Sequence, residues 1–162
     1  PGPCTGMMRC MDTTTAPDPI VPDSGPATCE QRREATIAHL DAASRDDWDA
    51  VLAGYSPDVV WINPPTAGPW AGRFEGIDAV ASMFAEYLAF FDGTFTQEIV
   101  DVCASPDRSV VLLVERGAKF GHTYENRALW TSRFDESGRI IEVVAVGRDL
   151  HAAESFWNAV TG

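Results

Sequence analysis

The spacing of apolar and polar positions changes period along the chain. From Glu30 to Ala43, the residues Ala35, Ile37, Ala38, Leu40 and Ala42 recur at helical spacing, which predicts an amphipathic helix. Ser44-Arg-Asp-Asp47 then reads as an N-cap for a second helix carrying Trp48, Val51, Leu52 and Tyr55, stopped by Pro57. Asp58 to Asn63 is a strand pattern closed by Pro64-Pro65, and Thr66 to Glu75 reads as a Gly/Pro-rich loop. A third helix is predicted from Gly76 to Phe91, with Ile77, Val80, Met83, Phe84, Tyr87, Leu88 and Phe91 at spacings of three and four. Beyond it the runs are β-rich: Phe95–Ala104, Val110–Phe120, His122–Phe134 and Arg139–Val146. They are parted by Ser105-Pro-Asp-Arg108, by Gly121 alone and by Asp135-Glu-Ser-Gly138. Leu150 to Val160 predicts a short closing helix. Helices first and strands afterwards predict an α+β fold, a curved antiparallel-rich sheet wrapped around N-terminal helices.

Composition divides the chain in two. Residues 1–29 hold six of the eleven prolines, three of the four cysteines and few large apolar residues, so they are expected to form a flexible or extended arm before a domain over 30–162. Cys4, Cys10, Cys29 and Cys103 fit neither a zinc-site spacing nor a dense disulfide framework and read as free thiols.

Charge narrows the partners. Twelve basic residues against 24 acidic ones give a net charge of −12. Nucleic acid and anionic membrane surfaces are therefore excluded, because both are bound through an excess of Lys and Arg. There is no spanning-length apolar run and no signal-peptide core, so the expected location is cytoplasmic. No metal-ligand spacing or phosphate loop is present, and no cofactor is expected.

Five segments, taken in order, carry a family likeness: Asp47-Trp-Asp49, Asp58-Val-Val-Trp-Ile-Asn-Pro64, Gly72-Arg-Phe-Glu-Gly-Ile-Asp-Ala-Val80, Tyr124-Glu-Asn-Arg127 and Asp135-Glu-Ser-Gly-Arg-Ile-Ile-Glu142. Over residues 30 to 158 the chain resembles the nuclear transport factor 2-like superfamily. That superfamily includes ketosteroid isomerase, the SnoaL-like polyketide cyclases and limonene epoxide hydrolase. The resemblance implies a cone with a deep apolar pocket, and a homodimer formed through the outer face of the sheet, where Thr123, Glu125, Arg127, Leu129 and Thr131 alternate. It also implies work on a lipophilic small molecule in secondary metabolism, such as polyketide biosynthesis.

Period-two alternation then assigns pocket walls. Val59, Trp61 and Asn63 are expected inward on the first strand, and His122, Tyr124, Asn126, Ala128 and Trp130 on a later one. With Arg116 inward, Leu112 and Val114 follow, and the pocket carries a positive group with no matching carboxylate. By position, the three catalytic places of ketosteroid isomerase are taken by Asn63, His39 and Trp130, so its carboxylate base is missing. The epoxide hydrolase pattern is matched by Trp61-x-Asn63 and Arg116, but its two Asp positions fall at Ala118 and Ala145. The expected catalytic set is His39 or His122 as acid or base, Tyr124 as phenolic donor, Arg116 as anion stabiliser and Asn63 as orienting amide. Trp61, Trp130, Asn126, Leu112 and Val114 are the expected substrate contacts. Cyclase, isomerase or dehydratase chemistry follows. The alternatives are a non-catalytic binder of a ligand or protein, and an epoxide hydrolase with a rearranged acid.

Overall fold

A computed structural model describes residues 27–161; most of the expected arm, with Cys4 and Cys10, lies outside the described residues. Helix α1 spans Cys29–Ser44 and starts at a capping box, in which Thr28 and Gln31 each accept from the other's backbone N–H. Its buried positions include Arg32 and Thr36 rather than the exposed Ala35 and Ala38. Arg32 is tolerated inside because its guanidinium lies 4.0 Å from the Phe134 ring centre and donates to the carbonyls of Pro106 and Gly138. Helix α2 (Trp48–Ala53) is capped by Asp47, whose carboxylate accepts from Ala50 N.

Strand β1 (Tyr55–Asn63) begins before Pro57, so it is Gly54 and not the proline that ends α2. The expected loop over 66–75 contains more order than its composition suggests. A 3-10 segment, Pro65–Trp70, leads into strand β2 (Gly72–Glu75), which pairs antiparallel with β1. Helix α3 (Ile77–Phe90) follows, and then four strands: β3 (Thr96–Ser105), β4 (Arg108–Lys119), β5 (His122–Phe134) and β6 (Ile140–Gly147). Helix α4 (Leu150–Thr161) closes the described chain.

The six strands form one curled sheet in the order β2-β1-β6-β5-β4-β3, antiparallel except for the β1–β6 pair. The main core lies between its concave face and the helices, built around Val59, Trp61, Val80, Met83, Phe91, Phe156 and Trp157. Gly117 of β4 lets Phe91 reach the sheet: a Cβ there would stand 2.5 Å from the phenyl ring. Among the described residues no helix is long and apolar enough to cross a membrane. Cys29 and Cys103 are exposed thiols.

The β4–β5 hairpin sets what faces the core. Phe120 and Gly121 both have positive φ, 50° and 83°, and Lys119 pairs with His122. This is a two-residue turn of the primed kind, whose hand matches strand twist. Gly121 alone is therefore not the turn. Two turn residues instead of one shift the pairing by one position, so Asn126 stands opposite Glu115 and Glu125 opposite Arg116. In a strand, one position reverses every side chain.

Candidate active site in the cone

A cavity opens between α1, α3 and the concave face of the sheet. Its atom-free space is about 790 Å3 with the mouth included, but most of that space is too narrow to admit a water molecule. The free space is a narrow, mainly apolar slot. Aromatic rings make its walls: Trp61 packs edge-on against Trp130 and Phe84, and Tyr55 edge-on against His39, with centroids 4.8–5.0 Å apart.

Polar groups gather at one part of this apolar lining. Glu115 of β4 is buried, and its Oε2 accepts from Asn126 Nδ2 at 3.0 Å and from Tyr124 Oη at 3.4 Å, both on β5. Gln97, its cross-strand neighbour on β3, also favours the charged form. Burial outweighs these donors and raises the Glu115 pKa above the ordinary carboxylate range. Burial likewise raises the pKa of Tyr124 and of Tyr87, which stands on α3 facing the same cluster. Burial thus shifts all three toward their neutral forms, and Glu115 holds a proton more firmly than a solvated carboxyl does.

His39 sits on another wall. Gly54 makes room for it, since a Cβ there would lie 2.6 Å from its Nδ1. Desolvation lowers the imidazole pKa to about 4, so His39 is neutral at pH 7. Asn63 lines the cavity, but its amide is engaged: Oδ1 accepts from Trp61 Nε1 at 2.6 Å, and Nδ2 donates to the Trp70 carbonyl at 3.0 Å. It braces the wall.

Of the residues expected from the sequence, His39, Asn63, Trp61, Tyr124, Asn126 and Trp130 come together around this slot. Four do not. Arg116, Leu112 and Val114 face the outer side of the sheet, where Arg116 pairs with Glu98 at 2.9 Å and Glu125 at 3.0 Å. The hairpin shift is the cause, and the continuous run Val110–Val114 offered no alternation to prevent it. His122 is exposed beside the turn and does not line the slot.

The expectation of a positive pocket without a carboxylate is thus reversed: the carboxylate of Glu115 is inside and the guanidinium of Arg116 outside. Sequence reasoning missed Glu115, Tyr87 and Gln97. The signal was the acid ladder Glu98–Arg116–Glu125, which settles Arg116 on the outer face once the register is known.

The curled sheet closing on helices around a slot defines the nuclear transport factor 2-like, cystatin-like cone. Comparison with known proteins agrees. Bal32a, from a soil-derived mobile gene cassette, superposes with a TM-score of 0.74 at 23% identity, covering 80% of this chain and 98% of that one. A nuclear transport factor 2-like protein of unknown function from Burkholderia pseudomallei gives 0.62 at 22%, covering 81% and 98%. TerC, co-crystallised with polyporic acid, gives 0.66 at 17%, also covering 81% and 98%. The SnoaL-like domain profile matches residues 36–143, and the chain belongs to that family. No curated protein matches it.

Proposed function

We propose that the chain is a general acid–base enzyme, a cyclase, isomerase or dehydratase that moves a proton on a flat lipophilic small molecule, with Glu115 as the proton carrier. The observation that carries this reading is the buried Glu115 carboxyl, held by Asn126 and Tyr124 and opening on an apolar slot. Burial raises the Glu115 pKa above that of a solvated carboxyl, and a carboxyl shifted in that direction is better suited to give a proton as well as take one. Asn126 and Tyr124 fix its orientation, and the dry aromatic walls strengthen its interactions with a bound substrate. That TerC was co-crystallised with polyporic acid is in keeping with a small organic ligand in this fold.

Epoxide hydrolysis draws less support. The Asn63 amide is already bonded to Trp61 and Trp70, which leaves it poorly placed to hold an attacking water.

The test is deuterium incorporation. A panel of enolisable lipophilic ketones incubated in D2O is followed by proton NMR for loss of the signal next to the carbonyl. Catalysed exchange that falls about 10²- to 10⁴-fold in Glu115→Gln is the expected result. Exchange unchanged by that substitution removes Glu115 from the chemistry. Ligands that bind without exchange point to a carrier.

A further inference from the structure

The buried carboxylate of this cavity lacks a counter-ion. Glu115 is 7% exposed, and among the described residues no Lys, Arg or His comes within ion-pair distance of it. Arg116 is held by two acids on the far side of the sheet, and Arg127 and Arg148 line a groove on that same outer side. The groups facing Glu115 are Tyr87 on α3, Gln97 on β3, and Tyr124 and Asn126 on β5, all neutral. His39, in the same cavity, is uncharged at pH 7. A buried carboxyl in such surroundings has two ways to avoid an isolated charge: it keeps a proton, or it meets a cation brought from outside.

Two further observations favour the cation. Asn126 uses Nδ2 on Glu115, and its Oδ1, on the cavity wall and buried, has no hydrogen-bond partner. A ligand that satisfies both acceptors must bring at least two donors to one spot. A hydroxyl carries one, whereas an amino group carries two and an ammonium two or three, and of these only the ammonium also supplies the counter-charge that Glu115 lacks. Trp61, Trp130, Tyr55, Tyr87 and Phe84 also line the cavity, and aromatic rings attract a cation placed over them through their quadrupole.

We propose that the slot selects a lipophilic ammonium ion, a flat aromatic amine-bearing compound whose N–H groups go to the Glu115 carboxylate and Asn126 Oδ1. This goes beyond the proton-transfer reading, because the selection holds with or without a reaction. Where both hold, the pairing keeps Glu115 ionised and makes it the base of the transfer.

One ring with three headgroups tests the idea. 2-Naphthylmethylamine, 2-naphthylmethanol and 2-naphthoic acid are titrated into the full chain by calorimetry at pH 7. A charge-assisted bond predicts that the amine binds at least about tenfold tighter than the alcohol, and the acid weakest of all. Glu115→Gln is expected to bring the amine down to about the level of the alcohol, with a much smaller change for the alcohol than for the amine. The wild-type ranking decides the matter even if that variant does not fold. An alcohol that binds as tightly as the amine, or an acid that binds tightest, overturns the proposal. The two readings fail separately: an amine preference without catalysed deuterium exchange supports this one and sinks proton transfer, and exchange without an amine preference does the reverse.

Discussion

Replacing His39 with Gln should remove a defined part of the protein's sensitivity to acid. The imidazole stands against the edge of Tyr55 and over Gly54, and no described residue offers it a hydrogen bond. Folding therefore moves its pKa from 6.5 to about 4 through loss of water alone. Between those two values the unfolded chain binds a proton that the folded one refuses, so stability falls as the pH falls through that window. Above pH 6.5 the residue contributes no pH dependence, and below about 4 the loss is complete. At about 1.4 kcal/mol per pH unit, the full span amounts to about 3 kcal/mol, with about 2 kcal/mol already gone at pH 5.

That is a sizeable fraction of the roughly 5–15 kcal/mol by which domains are stable. Every other titrating group is common to both proteins, so the difference between the two profiles isolates the imidazole. Urea unfolding of wild type and His39→Gln at half-unit steps from pH 7.5 to 4 gives that difference directly. The wild type should lose about 3 kcal/mol relative to the variant, with the divergence starting near pH 6.5. Parallel profiles, or an NMR titration of the folded imidazole with a midpoint near 6.5, would place His39 in water and refute the reasoning.

Other consequences are equally direct. Gly117→Ala sets a methyl against the fully buried Phe91 and should cost about 1–3 kcal/mol in urea unfolding; an unchanged midpoint would mean the ring has room to spare. Arg116→Ala should leave the affinity of a slot-bound naphthyl amine unchanged, because the guanidinium lies on the other side of the sheet; a large loss by calorimetry would bring it back to the cavity. The outer face exposes Val100, Leu129 and Val146 among acids and arginines of both signs, a pattern able to pair with itself across a two-fold axis. A dimer is expected through it, with Leu129→Glu giving monomers in sedimentation equilibrium; a wild-type monomer at micromolar concentration refutes this.

How much of this was legible in the sequence depends on what kind of signal each feature leaves. Long segments bounded by turn chemistry leave a strong one: α1, α3 and strands β3 to β6 fall within a residue or two of their expected bounds, because each sustains its apolar content over eight or more residues between clear breaks. Strand β2 left none. Four residues, three of them exposed, carry no alternation, and only pairing with β1 makes Gly72–Glu75 a strand. The inward set Tyr124, Asn126, Ala128 and Trp130 was readable because the charged Glu125 and Arg127 alternate with Tyr124, Asn126 and Ala128 and so fix the phase of β5.

On β4 the same method failed at the position that matters most. Val110 to Val114 are all apolar, so the phase of the strand rested on choosing between Glu115 and Arg116, two adjacent charges of which one must face inward. Isolated-residue chemistry gives no decision there. The decision is made five residues away, where Phe120 accepts a positive φ and turns a one-residue gap into a two-residue hairpin. Phe120 is 73% exposed, so its side chain has no packing role that would mark it in the sequence as a turn residue. The register that goes with this turn places the acid Glu115 in the cavity and the cation Arg116 outside it, and every statement about the cavity's chemistry inherits that choice. Inserting one glycine between Phe120 and Gly121 tests the dependence. A turn lengthened to three residues can keep the register only by forming a bulge. If Glu115 is kept inward by its own bonds to Asn126 and Tyr124, the insertion is absorbed there and the amine preference of the slot survives. If the turn alone holds the register, the preference is lost together with the fold's stability.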